Sequence, residues 1–221
     1  MGLSLWTLND IKLKIRKLTR HTVQQLSDVD LLQYINRYYQ LQFPLEMRPK
    51  ELYTWFSFDL VTSTDEYDLD TIIDTTTSEI FSNGFMTLDS PVTIDDYRID
   101  LYLDPVTFYN EFPEFGSYND SVPIAVLMYN KKLLFRCPPD DTYTVKFKAL
   151  KRPTALAVGT DYPMMEEWGN IISYGTAIEI LQDVADSERI NELMPFYDMH
   201  KTQVMSKVQE QNYNMRSTPK F

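Results

Sequence analysis

Carboxylates are the most abundant chemistry-bearing groups in this 221-residue chain, and they are concentrated. Residues 59–120 hold fifteen Asp and Glu side chains opposed by Arg98 alone, a formal charge of −14. The densest run is Asp65-Glu66-Tyr67-Asp68-Leu69-Asp70. It offers the oxygen ligands that Ca²⁺ or Mg²⁺ take, but it lacks EF-hand spacing and the glycine that such a loop requires. A solvated loop is the expectation there. Paired carboxylates also perform glycoside hydrolysis, yet among so many acids the sequence singles out no pair. His21 and His200 fall on separate helical segments and read as surface or packing residues. Cys137, the single cysteine, ends an apolar strand without the basic surroundings that make a thiolate, and it has no partner for an internal disulfide. Nucleophile elbows, Gly-rich phosphate loops, His-Glu-x-x-His and Cys/His zinc pairings are all missing from the sequence. No catalytic, cofactor-binding or metal-ligating residue is predicted, and the chain is not expected to be an enzyme.

The cations lie elsewhere. Residues 1–58 carry eight basic and five acidic side chains, residues 121–221 twelve of each, and the whole chain −11. Lys12, Arg16, Lys17 and Arg20 fall on the side of the first helix opposite its apolar stripe. Such a face is ordinarily solvated. The sharper alternative makes these four residues a subunit-interface surface for an acidic neighbour, including the −14 segment of another copy. Aromatic residues that would stack bases are not interleaved with them. The acidic balance disfavours a free nucleic-acid binder and docking on an anionic membrane. No apolar run approaches the roughly 20 residues of a membrane span. Met1–Trp6 lacks the basic start and apolar centre of a secretory signal, so none is expected.

The elements that would position these groups are α+β in class. A helical unit is built from N- and C-terminal helices, with a β-rich antiparallel middle region. Residues 1–50 form a two-helix segment. Thr7 and Asp10 cap the first helix, with a stripe of Leu8, Ile11, Ile15 and Leu18, and Ser27 and Asp30 cap a second over 28–42 that Pro44 stops. Two such helices on a short connection should pack antiparallel. Residues 51–150 are the acidic β-rich region. Its strands are expected at 53–58, 85–88, 91–94, 97–103, 122–130, 132–137 and 142–149, with a long exposed loop over 62–79 in which Tyr67–Leu69 is a candidate for strand pairing, a turn at Asn83-Gly84 and a short helix from Asp104-Pro105. Residues 151–210 are a C-terminal helical segment packing on the N-terminal helices. Its first helix is amphipathic through Trp168, Ile171, Ile172, Gly175, Ile178 and Leu181, and Pro195 opens the last helix. Residues 211–221 are a flexible tail.

Three places in this order resemble the head-to-tail adaptor (connector) ring proteins of short-tailed phages, the group of tail accessory factors and tail tubular protein A. They are Leu8–Lys12 through Leu26–Arg37; Pro91–Tyr97 with Thr107-Phe108-Tyr109; and Lys151–Leu156 followed by Glu166-Glu167-Trp168 and Tyr174-Gly175-Thr176-Ala177. The resemblance implies a structural virion protein at the portal–tail junction, made in the bacterial host cytoplasm. Such proteins form a homo-oligomeric ring, about twelve copies, on the portal protein. They hold other tail proteins, help retain packaged double-stranded DNA, and pass it at ejection without specific binding. They need no cofactor and touch no membrane. A C-terminal extension commonly reaches the portal, which makes Tyr213, Met215, Arg216 and Phe221 the portal-interaction candidates.

Three other assignments fit the same features. The chain could be another tail or capsid component, such as a second ring or a fibre-docking adaptor. An acidic DNA mimic would account for the −14 stretch. A carboxylate-dependent hydrolase would need acids that converge in a pocket.

Overall fold

A computed structural model describes residues 6–95, 97–113, 118–165 and 167–213, with side chains to Ser206. In chain order the elements are α1 (Leu8–Thr19), α2 (Asp28–Arg37), a π-helical turn (Tyr38–Gln42), α3 (Phe43–Met47) and a 3₁₀ turn (Lys50–Leu52). There follow β1 (Tyr53–Asp59), β2 (Glu66–Asp68), α4 (Phe81–Gly84), β3 (Phe85–Ile94), β4 (Tyr97–Tyr102) and α5 (Pro105–Glu111). The chain closes with β5 (Ala125–Tyr129), β6 (Lys132–Arg136), β7 (Thr144–Lys151), α6 (Trp168–Asp183) and α7 (Ser187–Tyr213). The fold is α+β. It divides into a helical unit made of residues 1–52 and 152–221 and a β unit of residues 53–151.

The helical unit is organised around α6. From Trp168 to Leu181 every residue except Asn170 is buried, so α6 is enclosed on all sides rather than along the single stripe its sequence predicts. A helix apolar all round belongs in a core. α1, α2, the π turn and α7 supply the walls. α1 and α2 therefore pack mainly on α6 and not as the antiparallel pair expected of them. α1 begins with the capping box of Thr7 and Asp10, and the amides of Leu8 and Asn9 donate to the carbonyls of Asp161 and Gly159 at 2.7 and 3.1 Å. Ser27 caps α2 by accepting from the Asp30 amide.

Two prolines behave differently from expectation. Pro44 does not stop the second helix, because the π turn widens the spiral ahead of it and the chain stays helical to Met47. Pro195 lies inside α7 instead of opening it. It is exposed there, so the carbonyl that loses its amide partner faces water, while Leu193 and Tyr197 beside it are buried. α7 also runs on to Tyr213, three residues into the expected tail.

In the β unit seven strands form one sheet in the order β1-β7-β3-β4-β5-β6-β2. The pairing is antiparallel except between β4 and β5, which run parallel, so the sheet is mixed rather than wholly antiparallel. The crossover between those two strands carries α5, whose Phe108 makes a small cluster with Ala125 and Leu127. β3 spans two expected strands; a register shift between Asp89 and Val92 accommodates Pro91 inside the sheet. Asn83-Gly84 closes the single helical turn α4 rather than a hairpin. The core is aromatic. Phe56 stacks on Phe147 at 5.2 Å and meets the edges of Phe81 and Phe85 at 5.2 and 5.1 Å. Within residues 62–79 the expected pairing occurs one residue earlier, over Glu66–Asp68 as β2 against β6, but the rest is not a plain exposed loop, because Leu69, Ile72 and Asp74 are buried.

Candidate functional site

The acidic run that looked most like a ligand set is occupied by the chain's own cations. Pairing β2 with β6 sets Glu66 against Lys132 at 2.5 Å, and Asp65 against Arg136 at 3.0 Å. Asp70 lies 3.6 Å from Lys131. Glu79 meets Lys151 at 3.0 Å. The Arg136 side chain is buried and lies over the rings of Tyr118 and Phe108, at 5.2 and 5.8 Å from their centroids. Among the described residues no group of three or more His, Cys, Asp or Glu is arranged to hold a metal. Counting the whole β unit, seventeen acids and seven bases leave −10, and the helical unit carries −1.

Asp74 is a buried acid with no ion pair among the described residues. Its carboxylate accepts from the Thr77 hydroxyl at 2.7 Å, the Thr76 amide at 3.2 Å, and the Ser57 amide and hydroxyl at 3.3 Å. Burial pushes its pKa up, but those hydrogen bonds together outweigh burial and hold it below the ordinary carboxylate value. The Thr75 amide donates to the Ser57 carbonyl at 2.8 Å, so this loop covers part of the free edge of β1.

The four α1 cations do not form one surface. Arg16 is largely buried and donates to Asp28 at 2.7 Å, joining α1 to the start of α2. That bond is the main reason the Asp28 carboxyl sits below its ordinary pKa, with Lys12 and Arg16 adding charge attraction. Lys17 and Arg20 are exposed and have no ion pair among the described residues, and Leu13, one turn before Lys17, is 58% exposed. Lys14 instead covers the ring of Tyr174 at 5.3 Å.

Inside the helical unit the polar groups converge on α6. The buried Glu179 accepts from the Arg37 guanidinium at 3.2 Å and from the Gln42 side-chain amide, while its Oε2 has no partner. Burial raises its pKa, and Arg37 and Gln42 oppose the rise without cancelling it. Tyr34 donates to Asp183 at 2.6 Å, and Leu26, Asp30, Gln33, Tyr34 and Arg37 line a cleft of about 540 Å³. One helical turn away, the hydroxyls of Tyr38 and Tyr197 lie 3.2 Å apart, and Tyr197 donates to Glu46 at 2.7 Å. Burial drives both phenols upward, so they remain neutral donors. Asn36 grips the segment after β7 with both ends of its side chain, donating to the Leu156 carbonyl at 2.8 Å and accepting from its amide at 2.9 Å. Gln40 donates to the Pro153 carbonyl at 2.9 Å.

His200 faces Gln203 at 3.1 Å, His21 and Cys137 are half-buried, and no hydrogen bond joins any two of the three. Met215, Arg216, Phe221 and the side chain of Tyr213 lie outside the described residues. The roles of Glu179, Asp74 and Tyr38 were missed by sequence reading. Only the acid in the middle of the apolar run Ile178-Glu179-Ile180-Leu181 carried a signal that could have been used. No family model matches the chain, and no curated protein matches it.

Proposed function

We propose that this chain is a structural subunit of a phage head–tail junction, forming a ring beneath the portal that links head to tail and lets DNA pass. The observation that carries the reading is the construction of the helical unit. The segments that carry two of the adaptor-like motifs meet in it, residues 8–40 with residues 152–177, through Asn36 on Leu156, Gln40 on Pro153, and Tyr38 on Gly175. A helical scaffold assembled from segments on either side of the β unit in sequence suits a subunit of a larger assembly. The acidic run suits that role as well, since Asp65, Glu66 and Asp70 are spent on internal pairing.

The −10 of the β unit supports the same role. A ring of about twelve copies would carry on the order of −130, which repels phosphate and opposes tight binding of passing DNA. The portal contact belongs in this proposal to the C-terminal residues Tyr213, Met215, Arg216 and Phe221. Particles assembled without the chain should fill and then lose their DNA, as seen by electron microscopy. Heads that retain DNA while lacking fibres would contradict the adaptor role and favour a fibre-docking component.

A further inference from the structure

At one end of the β sheet four exposed acids gather around residues 142–144. Thr144 donates through its hydroxyl to Asp59 at 2.7 Å and through its amide to Asp95 at 3.2 Å. Tyr143 donates to Asp140 at 2.7 Å, and the Thr142 amide to Asp141 at 2.7 Å. The three carboxylates Asp140, Asp141 and Asp95 help raise the Tyr143 phenol to about 12, after the hydrogen bond to Asp140 and desolvation. None of the four acids has an ion pair among the described residues, unlike Asp65, Glu66, Asp70 and Glu79. Tyr97, two residues after Asp95 and the first residue of β4, is 74% exposed. On α1 the exposed Leu13 and Lys17 stand one turn apart, and the exposed Arg20 follows as the left-handed C-cap of the helix, so an apolar residue and two cations without an ion pair among the described residues lie at this end of α1.

We infer that Leu13 and Lys17 of α1, with Arg20 at its C-cap, dock on the Asp59/Asp95/Asp140/Asp141 end of the sheet of a second copy, with Leu13 against Tyr97. The occupant follows from charge: the α1 end is cationic, with no ion pair to Lys17 or Arg20 among the described residues, and the β unit of the same chain carries −10, with four of its exposed acids that lack an ion pair gathered at that end. The two surfaces differ, so the contact is head-to-tail, and each copy offers one of each. Opposite charges across it orient the approach and disfavour like-to-like pairing. This contact rests on the ring reading and supplies its subunit interface. Arg16 is not part of it, being committed to Asp28.

The test is sedimentation velocity of the full chain at low and high salt. Two variants are compared with the wild type, K17E/R20E on α1 and D95K/D140K on the sheet end, each checked for wild-type circular dichroism. The wild type should self-associate, less strongly as salt rises. Each variant alone should associate at least about tenfold more weakly, given two reversed exposed charges. An equimolar mixture should regain association, because the acidic α1 of one variant meets the basic sheet end of the other. If a reversed variant fails to fold, K17Q/R20Q and D95N/D140N replace the pair, and association should weaken and lose salt dependence. A variant that associates like the wild type, a mixture no tighter than its parts, or a wild type monomeric throughout would each overturn the contact. The ring reading itself is judged separately, by copy number in virions.

Discussion

Gly175→Ala should destabilise the helical unit, although alanine is the better helix former. A Cβ on residue 175 would lie 2.1 Å from Cζ, 2.3 Å from Cε2 and 2.5 Å from the hydroxyl of Tyr38. Ordinary contact begins at 3.4 Å, so the ring would have to retreat by about 1.3 Å. Tyr38 is 2% exposed and its hydroxyl is engaged with Tyr197, which leaves it little room to retreat. Overpacking of this kind costs about 1–3 kcal/mol, and a lost hydrogen bond adds about 1. The helix-propensity gain of about 1 kcal/mol works in the other direction. The net expectation is a loss of about 1–3 kcal/mol, read from urea unfolding followed by the helical circular dichroism signal. Tyr38→Leu in the same background should recover part of it, with a coupling of at least about 1 kcal/mol in the double-mutant cycle. Gly169→Ala is the control: its Cβ would meet Trp6 at 2.3 Å, but Trp6 is half-buried and precedes α1, so the loss should be smaller. A Gly175→Ala protein as stable as the wild type, or more stable, would refute the close approach of Tyr38 to α6.

Asp74→Ala should cost about 2–4 kcal/mol in the same assay, since it strands the amides of Ser57 and Thr76 in a buried site. Because the folded pKa of Asp74 is lowered, its contribution is present above the unfolded value of 3.8 and is lost as pH falls through the folded value; Asp74→Asn should remove that acid sensitivity. Glu179 has the opposite sign. Its raised folded pKa gives stability that is complete below the unfolded value of 4.5 and is lost as pH rises through the folded value, so Glu179→Gln should flatten the decline measured by urea unfolding from pH 4 upward.

What could be read from the sequence was local. The Thr7–Asp10 and Ser27–Asp30 caps, the Asp104 start of α5 and most strand positions follow from residues a few places apart, and the structure contains them. What could not be read depends on distant partners. The acids at 65–70 read as solvated because the cations that neutralise them, Lys131, Lys132 and Arg136, lie some sixty residues later and arrive only when β2 pairs with β6. Ile72 and Asp74 sit in a Thr- and Ser-rich stretch whose polarity hides their burial. The parallel β4–β5 pair needs a crossover that no local turn signal announces. Pro44 failed as a stop signal because a π turn ahead of it keeps the chain helical, and Pro195 failed as a helix start because the exposed helix face around it lets α7 run through it. Of the four cations on α1 and its C-cap, Lys17 and Arg20 are exposed and have no ion pair among the described residues, whereas Arg16 is committed to Asp28 inside the unit and Lys12 is half-buried near the same carboxylate.

The central claim is that the chain is a ring component of the virion, and its copy number in purified particles tests this most directly. Quantitative mass spectrometry of virions should find about one copy per portal subunit, about twelve per particle, in a fixed ratio across preparations. Absence from virions, or a variable trace amount, would contradict the account.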